Sequence, residues 1–292
     1  MSEAAGPATC LAIIAGRGEL PKRIAERRAE ASLPYLVVVF PECWEDWMSD
    51  HPHQRHEFEK VGALFRALRK ARATHIVFAG AMNRPKVRPW RADLKALGVA
   101  LRALKLLGRG DDAMLRGFGQ IFEEQGLRII GPREVLGDTL TVPPGALGIC
   151  GPGARDKRDA ARASRIVSAM GALDIGQGAV VADGVCLSVE AIEGTDLMLS
   201  RLADLPAERR ASCPPPSGVL FKGPKPGQDT RMDLPTIGER TVTGAVAAGL
   251  AGIVVAAGET VLLDGDAARR AADGAGIFVY GATPEELAAW ET

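Results

Sequence analysis

Leu11-Ala-Ile-Ile-Ala15-Gly-Arg-Gly18-Glu-Leu-Pro21 is the stretch that sets the fold. Five apolar residues in a row are too few for a buried helix and fit a strand covered on both faces, while Gly16 and Gly18 close it in a tight turn. Pro21 then stands where a helix begins, because the missing proline N–H is not needed in a first turn, and the charged segment to Glu30 continues it. The stretch is a βα unit with its turn at the carboxyl end of a strand.

Working outward, Tyr35 to Phe40 and Thr74 to Ala79 are the next buried-strand candidates. Between them Phe58, Val61, Leu64, Phe65 and Leu68 recur at helical spacing and form one apolar stripe. Helices are expected from Asp93 to Leu107 and from Asp111 to Gln125, followed by a strand from Leu127 to Ile130. Alternation of this kind predicts a mostly parallel, doubly wound sheet whose ligands lie beyond the carboxyl ends of its strands. Gly16, Gly18 and the segment Asn83 to Trp90 would lie there.

Composition shifts at Thr141-Val-Pro-Pro-Gly145 and stays glycine-rich to Gly153, which places a linker near residue 150. Two domains are expected, 1–150 and 151–292. Past the linker, a basic helix from Asp156 to Met170 precedes Ala179 to Val181 and Val185 to Glu190, two strands around Asp183-Gly184. Asp-Gly between apolar runs is a strong hairpin signal, so the second half is not purely parallel. It continues with a strand from Gly218 to Lys222, a loop, a helix from about Thr236 to Leu250, and strands at Ile253 to Ala256 and Ile277 to Tyr280. The fold class is α/β: a Rossmann-like doubly wound N-terminal domain and a distinct C-terminal mixed α/β domain.

The 292 residues carry 36 acidic and 36 basic side chains, so no bulk charge drives the chain toward nucleic acid or an anionic membrane. Any anion site must be local. Five cysteines without ligand spacing and a polar opening segment are the pattern expected in a reducing cytoplasm. No apolar run approaches the roughly 20 residues that cross a bilayer.

Two segments concentrate chemistry. Lys222-Gly-Pro-Lys225-Pro-Gly-Gln-Asp229-Thr-Arg231-Met-Asp233-Leu-Pro235 sets two acids and three bases on a loop stiffened by Pro224, Pro226 and Pro235. In an extended strand Asp229 and Asp233 would lie about 13 Å apart, whereas a helical turn brings them to roughly 6 Å. With such a turn they could hold Mg²⁺, which takes few protein oxygens when substrate phosphate supplies the rest, and Lys222, Lys225 and Arg231 would offset phosphate charge. A solvated, charged connection has the same composition, so both readings stay open. The second segment is Glu190-Ala-Ile-Glu193-Gly-Thr195-Asp196. Thr195 is expected to cap a helix whose free amides form an anion site, and Glu193 and Asp196 either stabilise that helix start or join the chemistry. Gln177, between Gly176 and Gly178, could hydrogen-bond a sugar or base.

Other motifs carry less. Gly16-Arg-Gly18-Glu-Leu-Pro21 lacks the third glycine of a dinucleotide fingerprint, so a nicotinamide cofactor is weakly supported and a phosphate-tolerant turn remains. His51, His53 and His56 are close together, but Pro52 and the flanking charges suggest a surface loop and no zinc set. Arg84 to Arg91 is basic with one aromatic, and in a neutral chain a phosphate-bearing small molecule is a better match than nucleic acid.

Taken in order, Ala15 to Pro21, Gly108 to Arg116, Gly176 to Gly178, Val189 to Asp196 and Lys222 to Gly238 resemble the LpxI-type UDP-2,3-diacylglucosamine pyrophosphatases of Gram-negative lipid A synthesis. The likeness covers essentially the whole chain apart from Ser2 to Thr9. Each motif alone is of modest specificity, and the weight lies in their order and spacing.

The resemblance implies a Mg²⁺-dependent hydrolase that splits the substrate's diphosphate into UMP and 2,3-diacylglucosamine 1-phosphate (lipid X), with ligand between the two domains. By position, Asp229 and Asp233 would be catalytic, as metal ligand or as the residue orienting water. Glu193 would join them, and Gln177, Thr195, Asp196, Lys222, Lys225, Arg231 and the Gly16–Gly18 turn would contact substrate. It also implies a cytoplasmic homodimer, with peripheral contact to the inner membrane and no nucleic-acid partner. Two acyl chains need an apolar groove; core packing is the default explanation of the apolar residues in these helices, and some of Leu101, Leu104, Leu107, Met114 and Phe118 are candidates to line such a groove. The alternative is a nucleotide-sugar or lipid-phosphate binding protein without turnover.

Overall fold

The computed structural model describes residues 9–82, 88–93, 98–99, 111–137, 140–206 and 216–291. Contacts divide the chain into two units, one of residues 1–137 with 229–233, the other of residues 138–228 and 234–292. The division falls before the linker expected near residue 150. The reason is pairing: Val142 N–H donates to the Thr260 carbonyl at 2.9 Å, and Gly145–Ala146 pairs with Tyr280 and Gly281, which builds the glycine-rich segment into the second sheet.

The first unit is a five-stranded sheet of β1 (Cys10–Ala15), β2 (Tyr35–Val39), β3 (His53–Arg55), β4 (Ala73–Ala79) and β5 (Arg128–Ile129), in the order β3-β2-β1-β4-β5. Every pair in it is parallel. Leu11, Ile13 and Ala15 face one side with Ile24 and Ala25 of α1 (Glu19–Glu30), while Ala12 and Ile14 face the other with Leu64, Phe65 and Leu68 of α2 (Val61–Lys70). Period-two alternation with both faces covered is why β1 reads as an unbroken apolar run. Each large side chain so buried contributes about 1.5–3 kcal/mol. Helix α3 (Asp111–Glu123) adds Ile121 and Phe122 to the α2 face, and α4 (Pro132–Leu136) adds Val135 and Leu136 to the α1 face. The order reverses between β1 and β4, as expected of a doubly wound sheet. One reading is corrected: the histidine-rich segment is a sheet edge as well as a loop, because His53, Gln54 and Arg55 register with Val37, Val38 and Val39.

The second unit contains β6 (Gly145–Ala146), α5 (Ala154–Ala172), β7 (Gly178–Ala182), β8 (Val185–Val189), α6 (Gly194–Ala203), β9 (Val219–Lys222), β10 (Thr236–Ile237), α7 (Glu239–Ala247), β11 (Gly252–Ala256), β12 (Val261–Leu262), α8 (Gly265–Ala275), β13 (Phe278–Ala282) and α9 (Pro284–Ala289). Its six-stranded sheet runs β6-β13-β11-β9-β7-β8. The three central strands are parallel, and β7, β8 and β6 are antiparallel to their neighbours. Asp183 and Gly184 both take positive φ, 51° and 73°, as a two-residue hairpin turn requires. Their amides donate to the buried Asp159 carboxylate of α5 at 3.0 and 2.7 Å. The helix expected from Thr236 starts at Glu239, because Thr236 and Ile237 first pair with Val261 and Leu262.

Candidate functional site

At the end of β1 the glycine turn has structural reasons. A Cβ on Gly16 would meet the Gly80 carbonyl at 2.6 Å and the Ala81 carbonyl at 2.7 Å, so Gly16 lets two backbone segments touch. The Gly18 amide, at the head of α1, donates to Glu45 Oε1 at 3.1 Å. A carboxylate of the chain itself therefore holds the amide expected to face phosphate.

In the second unit the carboxyl end of β9, the start of β7 and the end of β8 meet at one edge of the sheet, since Gly178 registers with Lys222 and Ala179 with Val189. Lys222 is buried there, and its Nζ donates to the Thr195 hydroxyl at 2.6 Å. Glu190, also buried, places Oε2 3.9 Å from that ammonium, and Oε2 accepts no hydrogen bond among the described residues. The two glycines around Gln177 are explained by this carboxylate. A Cβ on Gly178 would stand 2.5 Å from Glu190 Oε2, and one on Gly176 would stand 1.9 Å from the Glu190 carbonyl oxygen. The Gln177 backbone carbonyl accepts from Gly223 at 3.2 Å, while its side-chain Oε1 is buried without a hydrogen-bond partner among the described residues. Burying an ammonium costs several kcal/mol unless charge and hydrogen bonds compensate, which Glu190 and Thr195 do in part. The result is a buried cation with donor capacity left over at the head of a helix, a setting for an anion.

Thr195 differs from its expected role. It lies within the first turn of α6, Glu193 occupies the cap position, and no side chain caps the helix there. The Thr195 hydroxyl serves Lys222 instead. Around this core the charged candidates are paired: Glu193 with Arg201 at 2.9 Å, Asp196 with the exposed Arg240 at 2.8 Å, and Lys225 with Asp174. A cleft of about 300 Å³ lined by Asp196, Glu239, Arg240, Thr243 and Gly244 opens between α6 and α7.

The acid-bearing loop does form a turn. Met232 N–H and Asp233 N–H donate to the Asp229 carbonyl at 2.9 and 3.3 Å, so the two aspartates stand one helical turn apart. Residues 229–233 group with the first unit: Met232 is buried in its core beside Gly119 and Ile129, and Arg231 Nη1 lies 3.3 Å from Glu123. Arg231 also grips Asp229 with a two-pronged fork, Nε to Oδ1 at 3.0 Å and Nη2 to Oδ2 at 2.7 Å. These bonds, more than the Coulomb pull of Arg231 and Arg116, hold the Asp229 carboxyl below the ordinary carboxylate range, and the same bonds raise Arg231. The donor set suits a hard cation that takes one or two carboxylates and leaves the rest to substrate and water. It is not an all-protein cage: among the described residues no group of three or more His, Cys, Asp or Glu could hold a metal. A cation at Asp229 would share that carboxylate with Arg231.

Glu190 is the residue that sequence reasoning left out of the site, although it directly follows the second hairpin strand. The signal was its place: an acid directly after a strand, opposite the glycine that ends Gly176-Gln-Gly178. Leu101, Leu104, Leu107, the side chain of Met114, and Asn83 to Val87 lie outside the described residues. Phe118 packs partly buried against the first unit's core, which is its ordinary role.

Comparison with known proteins divides the chain at nearly the same place, apart from residues 229–233, which fall in the second match. Residues 10–139 match the LpxI N-terminal domain and residues 143–280 the LpxI C-terminal domain. A protein of Caulobacter vibrioides named UDP-2,3-diacylglucosamine pyrophosphatase LpxI is 40% identical over 276 residues, 94% of this chain and 98% of that protein. Two domain matches end to end, with identity at that level over nearly the full length of both proteins, mean that the chain belongs to the LpxI family.

Proposed function

We propose that the protein hydrolyses the diphosphate of UDP-2,3-diacylglucosamine to UMP and 2,3-diacylglucosamine 1-phosphate in lipid A synthesis, with Mg²⁺. The observation that carries the reading is the buried Lys222 ammonium, hydrogen-bonded to Thr195 where parallel strands end, in a chain whose relative is named for this activity. Water attacks the phosphorus nearer the sugar, an O–P bond forms, and the bridging oxygen leaves with UMP. Negative charge grows on the leaving phosphate and spreads over the phosphoryl oxygens, so fixed cations and oriented donors lower the barrier.

Each group has a place in that chemistry. Lys222 and Thr195 would take a phosphate oxygen, and Gln177 Oε1 would accept from a hydroxyl or N–H of the sugar or base. Asp229 and Asp233 would hold Mg²⁺ or orient the attacking water, and Arg231 would turn from Asp229 toward phosphate. When bound, Mg²⁺ would neutralise phosphate oxygens and favour in-line attack. Glu193, Asp196 and Lys225 would act after exchanging their present partners for substrate. No helix among the described residues is long and apolar enough to cross a membrane, and the reading places the protein in the cytoplasm as a homodimer that meets its lipid substrate at the inner-membrane surface.

The test is direct. Purified protein is given UDP-2,3-diacylglucosamine with Mg²⁺ and then with excess EDTA, and UMP is measured. Magnesium-dependent UMP release that is lost on Asp229→Ala and Asp233→Ala is expected. Binding without UMP release would favour the non-catalytic binding protein.

A further inference from the structure

We infer that Glu190 is a positioning residue for phosphate binding, acting through Lys222. The inference rests on the hydrolase reading for the identity of the ligand. Glu190 Oε2 is 3.9 Å from Lys222 Nζ, beyond hydrogen-bonding distance, and both residues are more than nine-tenths buried. At that range the carboxylate balances the ammonium's charge without occupying its N–H groups. Among the described residues, one of the three N–H donors goes to Thr195 and none to Glu190, so two remain for a ligand. A full hydrogen-bonded salt bridge would do the opposite and engage the cation.

The carboxylate is built into place. The Glu190 amide donates to the Gly178 carbonyl at 2.8 Å, and Gly176 and Gly178 supply the space that its carbonyl and side chain fill. Its Oε2 is buried and takes no hydrogen-bond donor among the described residues. An oxygen of this kind balances the charge of a buried lysine while leaving its N–H groups to an anion. Because Glu190 works through Lys222, its loss should matter only while Lys222 is present.

The test is a double-mutant cycle of Glu190→Gln, Lys222→Met and the pair, with a thermal unfolding curve for each and kinetics taken well below its midpoint. Two signals are read: kcat and KM for UMP release, and the affinity for UDP by calorimetric titration. Glu190→Gln should lower UDP affinity and kcat/KM about tenfold, and Lys222→Met about a hundredfold. The double variant should stay within about twofold of Lys222→Met. A Glu190→Gln protein with a lower unfolding midpoint but both signals within about twofold of wild type would overturn the inference, as would losses that multiply in the double variant. If wild type releases no UMP yet the UDP cycle is coupled, the hydrolase reading fails and the positioning role stands. A wild type that neither binds UDP nor releases UMP overturns both.

Discussion

The Asp229–Asp233 turn and the Glu190–Thr195–Lys222 cluster hold the same kinds of group in opposite ways. In the turn, Arg231 is exposed and its fork satisfies both oxygens of Asp229. In the cluster, acid and base are buried, yet acid and ammonium stop short of a hydrogen bond. An exposed pair is worth little and exchanges partners easily, whereas a buried one is costly to disturb and keeps its geometry. The turn can therefore rearrange around a cation or phosphate, and the cluster can present a fixed charge.

The largest expected effect breaks the turn. Asp229→Ala should reduce UMP release by roughly a thousandfold or more with little change in unfolding midpoint, because among the described residues its carboxylate bonds only the guanidinium and amide of the exposed Arg231 two residues on. Arg231→Ala should cost about tenfold, which separates the carboxylate's chemistry from its pairing. If both variants lose equally, the fork itself is the active element.

Two glycine substitutions sharpen the other side. Gly178→Ala meets the far end of the Glu190 side chain, so the carboxylate is displaced and kcat/KM should fall about tenfold in a folded protein. Gly176→Ala meets backbone at 1.9 Å, so it should instead lower stability by about 3 kcal/mol or more, read by denaturant unfolding. Equal stability losses would show that the glycines serve packing alone.

A smaller effect is expected at Asp159, which supports the hairpin leading to Glu190. Burial raises its carboxyl above 3.8, against the pull of the Gly184 and Asp183 amides. A raised acid keeps its proton in the folded protein where the unfolded chain has lost it, so its contribution to stability falls as pH rises from about 4 toward the folded value. Asp159→Asn should flatten that fall and cost about 1–3 kcal/mol, because an amide has one oxygen for two backbone donors. Unfolding curves across pH would measure both. The smallest effect is Arg240→Ala, which removes an exposed ion pair to Asp196 and should change stability by less than about 0.5 kcal/mol. A large loss of activity there would bring the α6–α7 cleft into the site.

Much of this was legible in the chain. The run Leu11 to Ala15 and the pair Asp183-Gly184 announced a buried parallel strand and a hairpin, because strand burial and left-handed turns leave local signatures. The aspartate turn followed from stiff flanking prolines and spacing. Glu190 left a weaker mark, since its partner Lys222 is distant in sequence and only strand register brings the two together. Thr195 was mistaken for a cap for the same reason: a threonine near a helix start looks alike whether its hydroxyl meets a backbone amide or a lysine.

By itself the sequence determined the central strands of both sheets, several of the longer helices, the hairpin and the composition of both charged segments, since these depend on side-chain periodicity and backbone preference within a few residues. Only the tertiary structure decided which charges are already neutralised, that the Asp229 turn groups with the first unit, and that Glu190 stands beside Lys222. Which charges pair is set by distance in space, and no local pattern encodes it.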